Sequence, residues 1–228
     1  MKILSLCTSA GLWDKAWIEA EHQVIPACEI MPHKRVMYNT FVWDDPKADW
    51  HLAHDLKHVP DLVKGQHFDG IIGGIPRQSR SKTRAMCPDV KFGDLLEPLK
   101  AVLACCTWDW ALFENVAPLD LEGFNKVRLD AMNFAYPPQS RARWFTYKNI
   151  TPPTPIYRGT VDTLLAYPAV AARIYGPKRG AVLQGWPDFA KLDFPCAQLQ
   201  EALADGVPRG LADAWIEAIA RDHDCYTF

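Results

Sequence analysis

The sequence predicts an α/β fold, a mostly parallel sheet with helices on both faces. Two observations predict it. Short apolar runs alternate with helix-compatible stretches through the first half of the chain, the pattern of strand–helix–strand units. And the run Phe68-Asp69-Gly70-Ile71-Ile72 ends in a sharp turn, "GGIPRQS" at 73–79, the kind of turn that closes a parallel strand where an open α/β sheet keeps its chemistry.

The opening "MKILSLCTSAGLWD" has an apolar part too short for a signal peptide, and reads as a buried strand over residues 3–7. A helix is expected over 13–20 and a strand over 23–28. A strand at 70–73 leads into the glycine-proline turn. A helix over 95–105 precedes a strand at 111–114. Runs at 127–132 and 144–147, separated by Tyr136-Pro137-Pro138-Gln139, read as a strand pair near the sheet edge. Beyond them "TPPTPIYRGT" is too proline-rich for regular structure. The turn Asp205-Gly206-Val207-Pro208 then introduces an amphipathic helix over 211–221. The organisation expected is a core over 1–147, a short irregular insert over 148–200, and a C-terminal turn and helix over 201–228.

The chain has 228 residues, 49% hydrophobic and 23% charged, ordinary for one globular core with a small appendage. No apolar run approaches the roughly 18 residues of a membrane span, and no membrane role is expected. Seven cysteines, at 7, 28, 87, 105, 106, 196 and 225, form no CxxC pair, so free thiols and a reducing, cytoplasmic setting are expected. Net charge is −2, but residues 77–91 carry +4 and residues 141–180 carry +6, leaving −12 elsewhere. Two basic segments on an acidic body fit either an anionic ligand at one face or two solvated loops. His51, His54 and His58, spaced i, i+3, i+7, could share a helix face; exposed histidines in a polar loop are the simpler reading, and no metal is assigned.

Six stretches, in order, resemble the DNA methyltransferases that act at the 5-position of cytosine. They are "LSLCTSAGLWDKAWIEAEHQVIPACEI" (4–30), "HDL" (54–56), "GGIPRQSRS" (73–81), "FENV" (113–116), "YPPQSRARWF" (136–145), and "AVLQGWPDF" (181–189) followed by "ADGVPRGLADAWIEAIA" (204–220). The resemblance covers nearly the whole chain. It implies a Rossmann-like fold with a seven-stranded, mostly parallel sheet, and S-adenosylmethionine as cofactor. It assigns Cys7, Ser9, Gly11, Leu12, Glu29, Ile30, Asp55, Leu56, Gly73, Pro76, Asp205 and Val207 to the cofactor. Glu29 would hold the ribose and Asp55 the adenine amine. Gln78, Ser79, Asn115 and Gln139 would face the substrate. Glu114 would protonate ring nitrogen 3 of the base, with Arg141 as base contact and Arg143 beside it. The substrate implied is cytosine or a related pyrimidine, in nucleic acid (DNA before RNA) or as a nucleotide, for a protein of phage or prokaryotic type.

Four departures bear on function. The family's first loop glycine is Ser9, and its closing asparagine is Asp205. Only residues 144–182 stand where a far larger target-recognition domain is usual, so a protein partner supplying recognition is one expectation. Most important, the nucleophilic cysteine is Arg77. A guanidinium stays protonated and offers no lone pair for attack, though it suits binding an anion. Either the chemistry is altered, with Cys87 as one candidate nucleophile, or the protein is a catalytically inactive homologue that binds cofactor or nucleic acid. An unrelated nucleotide-using α/β enzyme fits the ordered stretches least.

Overall fold

The chain opens into β1 (Lys2–Leu6), whose last four residues are buried. The structure, a computed structural model, describes residues 1–76, 95–134, 141–155, 176, 180–182 and 184–223. After β1 come α1 (Leu12–Glu19), β2 (Gln23–Cys28), α2 (Pro32–Trp43), a 3-10 turn (Leu56–His58), α3 (Val59–Val63) and β3 (His67–Gly74). The second half supplies α4 (Leu96–Cys105), β4 (Thr107–Asn115), β5 (Asn125–Asp130), β6 (Ala142–Lys148), α5 (Cys196–Asp205) and α6 (Arg209–Asp222).

One sheet runs β2-β1-β3-β4-β6-β5. The first four strands are mutually parallel, while β6 is antiparallel to both β4 and β5. The pair expected near the edge is therefore β5 and β6. Strand order reverses at β1, with β2 on one side and β3 on the other. Such a reversal opens a crevice at the carboxyl ends of the flanking strands.

Both faces of the sheet are covered, which is why its central strands read as continuous apolar runs. One face buries Ile3, Ile72, Trp110 and Leu112 against Trp17, Trp215 and Ile219 of α1 and α6. The other buries Leu4, Leu6, Phe68, Ile71 and Phe113 against Val59, Val63, Leu99 and Val102 of α3 and α4. Gly70 is a packing requirement: a Cβ there would collide with the Trp110 indole, which stacks on Trp17 at 5.5 Å.

The sheet has six strands among the described residues, not the seven expected. Beyond β2 the chain makes a single parallel bridge, Cys28 to Ala53. Leu52 and Ala53 donate to the Pro26 and Ala27 carbonyls at 3.0 and 2.8 Å. Asp55 then caps the turn that follows, accepting from Lys57 N, and the chain becomes helical before a strand can extend. Helix α5 was not foreseen and spans the expected 200/201 boundary. Its Leu199, Ala202 and Leu203 belong to the same core as α1 and α6. No helix among the described residues is long and apolar enough to cross a membrane.

Candidate functional site

A cavity of about 700 Å³ opens at the carboxyl ends of β1, β3 and β4, at the point where strand order reverses. Its first wall is the loop leaving β1. Cys7 and Ser9 have φ of 53° and 52°, and Gly11 has 80°. A left-handed conformation costs a residue with a Cβ about 1–2 kcal/mol, so the loop holds Ser9 where a glycine would be unstrained. Glu29 secures it, accepting from Ser9 N and from Met31 N, both at 2.9 Å. Burial pushes the Glu29 carboxyl up, and the Met31 N–H and Lys34 draw it back. Ser9 Oγ is buried against this wall with no hydrogen-bond partner among the described residues. Gly11 does not line the cavity; its place is fixed by φ and by a Cβ position only 2.5 Å from Val42 Cγ2 and 2.7 Å from Tyr38 Cδ2. Asp55 lines the rim half-buried, one oxygen accepting from Lys57 N at 3.0 Å.

The opposite wall begins at Glu114, near the end of β4, paired in register with Gly74. Arg143 of β6 places Nε 2.8 Å from Glu114 Oε1. That oxygen has no well-aligned hydrogen bond among the described residues, so the contact is foremost an ion pair. Burial pushes the Glu114 carboxyl up, opposed by Arg143 and Arg141. A carboxyl shifted in that direction keeps its proton more readily than an exposed one, the property needed to offer it to a bound base. Arg141 is buried, and Nη2 donates to the carbonyls of Ala204 and Gly206, the latter at 2.8 Å. It thereby satisfies orphan carbonyls at the end of α5. Burial lowers its pKa to about 10. Asn115 donates to the Ile75 carbonyl and accepts from Val116 N, bracing the turn after β3.

Two cavity-lining groups carried no sequence signal. Lys34, in the first turn of α2, is buried with Nζ 2.6 Å from Asp205 and 3.0 Å from Glu201. Burial alone would lower its pKa; the two carboxylates and Glu29 overcome this and raise it. Asp14 of α1 is buried, accepting from Ser5 Oγ at 2.7 Å and Tyr38 OH at 2.9 Å.

No family profile matches the sequence, and no curated protein does. Solved structures do match. The putative DNA modification methyltransferase encoded within an E. coli prophage is 13% identical, with a TM-score of 0.66 over 98% of this chain and 99% of that one. The Entamoeba histolytica methyltransferase EhMeth is 10% identical, with a TM-score of 0.63 over 98% of both chains. The S. pombe Dnmt2 methyltransferase is 11% identical, with a TM-score of 0.60 over both full chains. The chain has a methyltransferase fold.

Within this methyltransferase fold the cavity brings together most residues singled out in the sequence. Cys7, Ser9, Leu12, Glu29, Ile30, Asp55, Leu56, Gly73, Pro76, Asp205 and Val207 line it, as do Glu114, Asn115, Arg141 and Arg143. Gly11 stands behind the wall. Arg77, Gln78, Ser79, Gln139 and Cys87 lie outside the described residues, as does most of both basic segments. The three histidines share no helix face. His51 is buried, bonded to Thr8 Oγ1 at 2.8 Å, and burial lowers its pKa to about 4. His54 is exposed beside Asp49 at 2.8 Å, and only His58 is helical.

Proposed function

We propose that this chain is a small, divergent methyltransferase-like protein of the DNA cytosine-5 type. It binds S-adenosylmethionine and acts on cytosine or a related pyrimidine, in nucleic acid or as a nucleotide. The observation that carries this reading is a single cavity with Glu29 and Asp55 on one wall and Glu114 with Arg143 on the other.

The residues present fit the cofactor. About 700 Å³ lies within the range of small-molecule sites, and Ser9 Oγ, without a partner among the described residues, is a buried polar group that a ligand atom would satisfy. Glu29 and Asp55 would hold its ribose and adenine, with the 7–11 loop around its amino-acid end. When bound, this cofactor supplies an electrophilic methyl group. Glu114 would hold a proton toward the pyrimidine ring, and Arg143 would orient that carboxyl. Arg77 removes the family's covalent route and leaves an anion-binding group in its place. Basic residues at 77–91 and 141–180 support nucleic acid as partner, gripped through phosphates with little base reading.

A second reading, a catalytically inactive homologue that binds cofactor or nucleic acid as an accessory subunit, is favoured by Arg77 and by Arg141, whose Nη2 is committed to two backbone carbonyls. Titration calorimetry tests the first claim. S-adenosylmethionine should bind directly, with binding lost in Asp55→Ala and weakened in Glu29→Ala. No heat and no thermal shift at millimolar cofactor would sink the proposal. Binding without transfer of a labelled methyl group to single-stranded or duplex substrate would select the second reading.

A further inference from the structure

At the amino-terminal end of the sheet, away from the cavity, a second cluster breaks a rule of strand pairing. His67 pairs with Thr107, Phe68 with Trp108 and Gly70 with Trp110, so Asp69 of β3 lies directly opposite Asp109 of β4. Like charges in that relation destabilise a sheet. Among the described residues no lysine or arginine side chain forms a salt bridge with either carboxylate. Their ionic partner is His67, with Nε2 3.7 Å from Asp69 Oδ1 and 3.6 Å from Asp109 Oδ2. One ligand atom from each of the three residues lies within 4.8 Å of the others.

The imidazole is held from outside the cluster. Its Nδ1 is 3.2 Å from Thr107 Oγ1, and that hydroxyl donates in turn to the Gln66 carbonyl at 3.4 Å. With its hydrogen directed there, Thr107 accepts from Nδ1–H. In the neutral ring this leaves the Nε2 lone pair facing two carboxylates. Metal-binding histidines are oriented in this way, the far nitrogen donating to a second partner. Asp69 is likewise aimed, its other oxygen accepting the backbone N–H of Lys2.

We propose that His67, Asp69 and Asp109 bind a first-row divalent transition metal, Zn²⁺ foremost, with water completing the coordination. One imidazole nitrogen and two carboxylate oxygens suit Zn²⁺ better than Mg²⁺ or Ca²⁺, which take oxygen ligands in larger number. Tetrahedral bonds of about 2.0–2.1 Å set neighbouring ligand atoms roughly 3.3 Å apart. The imidazole nitrogen is 3.6–3.7 Å from each carboxylate and all three ligand atoms lie within 4.8 Å of one another, separations that rotations of these half-exposed side chains can close. Asp69 lies five residues before Gly74, roughly 17 Å along β3. The ion therefore clamps β3 to β4 and takes no part in chemistry at the cavity.

The test uses the full chain, stripped with chelator and titrated with ZnCl₂ by calorimetry, with thermal melts alongside. A one-to-one isotherm is expected. Free Zn²⁺ at about 100 times Kd should raise Tm by roughly 5–10 °C, and both effects should vanish in His67→Ala. Asp109→Asn separates the ion from the fold: without metal it relieves the like-charge contact and raises Tm, while Zn²⁺ affinity falls at least tenfold. Wild-type affinity retained in either variant, or no heat and no thermal shift at millimolar Zn²⁺, overturns the proposal. Should His67→Ala fail to fold, Asp109→Asn decides alone.

Discussion

Replacing Asp14 with asparagine is expected to stabilise the protein above pH 6 and to change how its stability depends on pH. Asp14 lies in the first turn of α1 with 2% of its surface exposed. Burial pushes its carboxyl from the usual 3.8 up to about 6, against the pull of the Ser5 and Tyr38 hydroxyls that donate to it. Because the folded-state value is the higher one, folding takes up a proton between the two. The stability this contributes is fully present below about pH 3.8 and is lost as pH rises to about 6, beyond which it stays constant. Two units at 1.36 kcal/mol each make this about 3 kcal/mol. Asparagine does not ionise, so it escapes that loss. It does forfeit one well-made hydrogen bond, about 1 kcal/mol, since one hydroxyl must turn to accept from the amide. The net gain above pH 6 is then about 2 kcal/mol, turning to a loss of about 1 kcal/mol near pH 4. Urea unfolding of both proteins from pH 4 to 8 reads this directly. Parallel curves, a difference in unfolding free energy that does not change with pH, would refute the assignment of a buried, proton-holding carboxyl to Asp14.

Gly11→Ala should cost roughly 2–4 kcal/mol, about 1 from the left-handed backbone and the rest from overpacking against Val42 and Tyr38. Chemical denaturation measures it, and Val42→Ala in the same chain should recover part of the loss; no recovery would mean that contact is not the cause. Arg77→Cys should put a thiol at the sequence position the resemblance gives to the nucleophile, in a segment whose Arg80, Lys82 and Arg84 are of the charge that lowers a thiol pKa. A weak covalent adduct with 5-fluorocytosine in single-stranded DNA, read by mass spectrometry, is expected from the variant and not from the parent. Turnover to 5-methylcytosine by the parent would refute the lost-nucleophile argument and turn attention to Cys87.

What could be read ahead of the structure was whatever the chain encodes locally. The runs that became β1, β2, β3 and β4 are apolar because helices cover both faces, and turn residues mark their ends. Glu29 was singled out through the resemblance, as the acid that follows the second strand, and the structure places it on the cavity wall. What stayed hidden was set by register and by contacts across the chain. Asp69 and Asp109 are forty positions apart and meet only because β3 and β4 align in parallel. That no strand follows β2 at the sheet edge among the described residues turned on where the chain became helical after Ala53.

Lys34 is the most instructive case, since a lysine in a helix ordinarily reads as solvent-facing. Yet it stands in the first turn of α2, where the helix dipole disfavours a cation, while Asp205 ends α5, where the dipole disfavours an anion. Each charge is misplaced in its own helix, and the two meet at 2.6 Å across the cavity wall. A local rule broken twice with opposite sign is the mark of a tertiary pair. Asp205, which alone looked like erosion of the asparagine the resemblance calls for, is therefore one half of an ion pair whose other half is 171 residues away. Reverting it to asparagine without changing Lys34 would leave a buried cation with Glu201 as its remaining ion-pair partner, so any account of this wall must treat the two positions together.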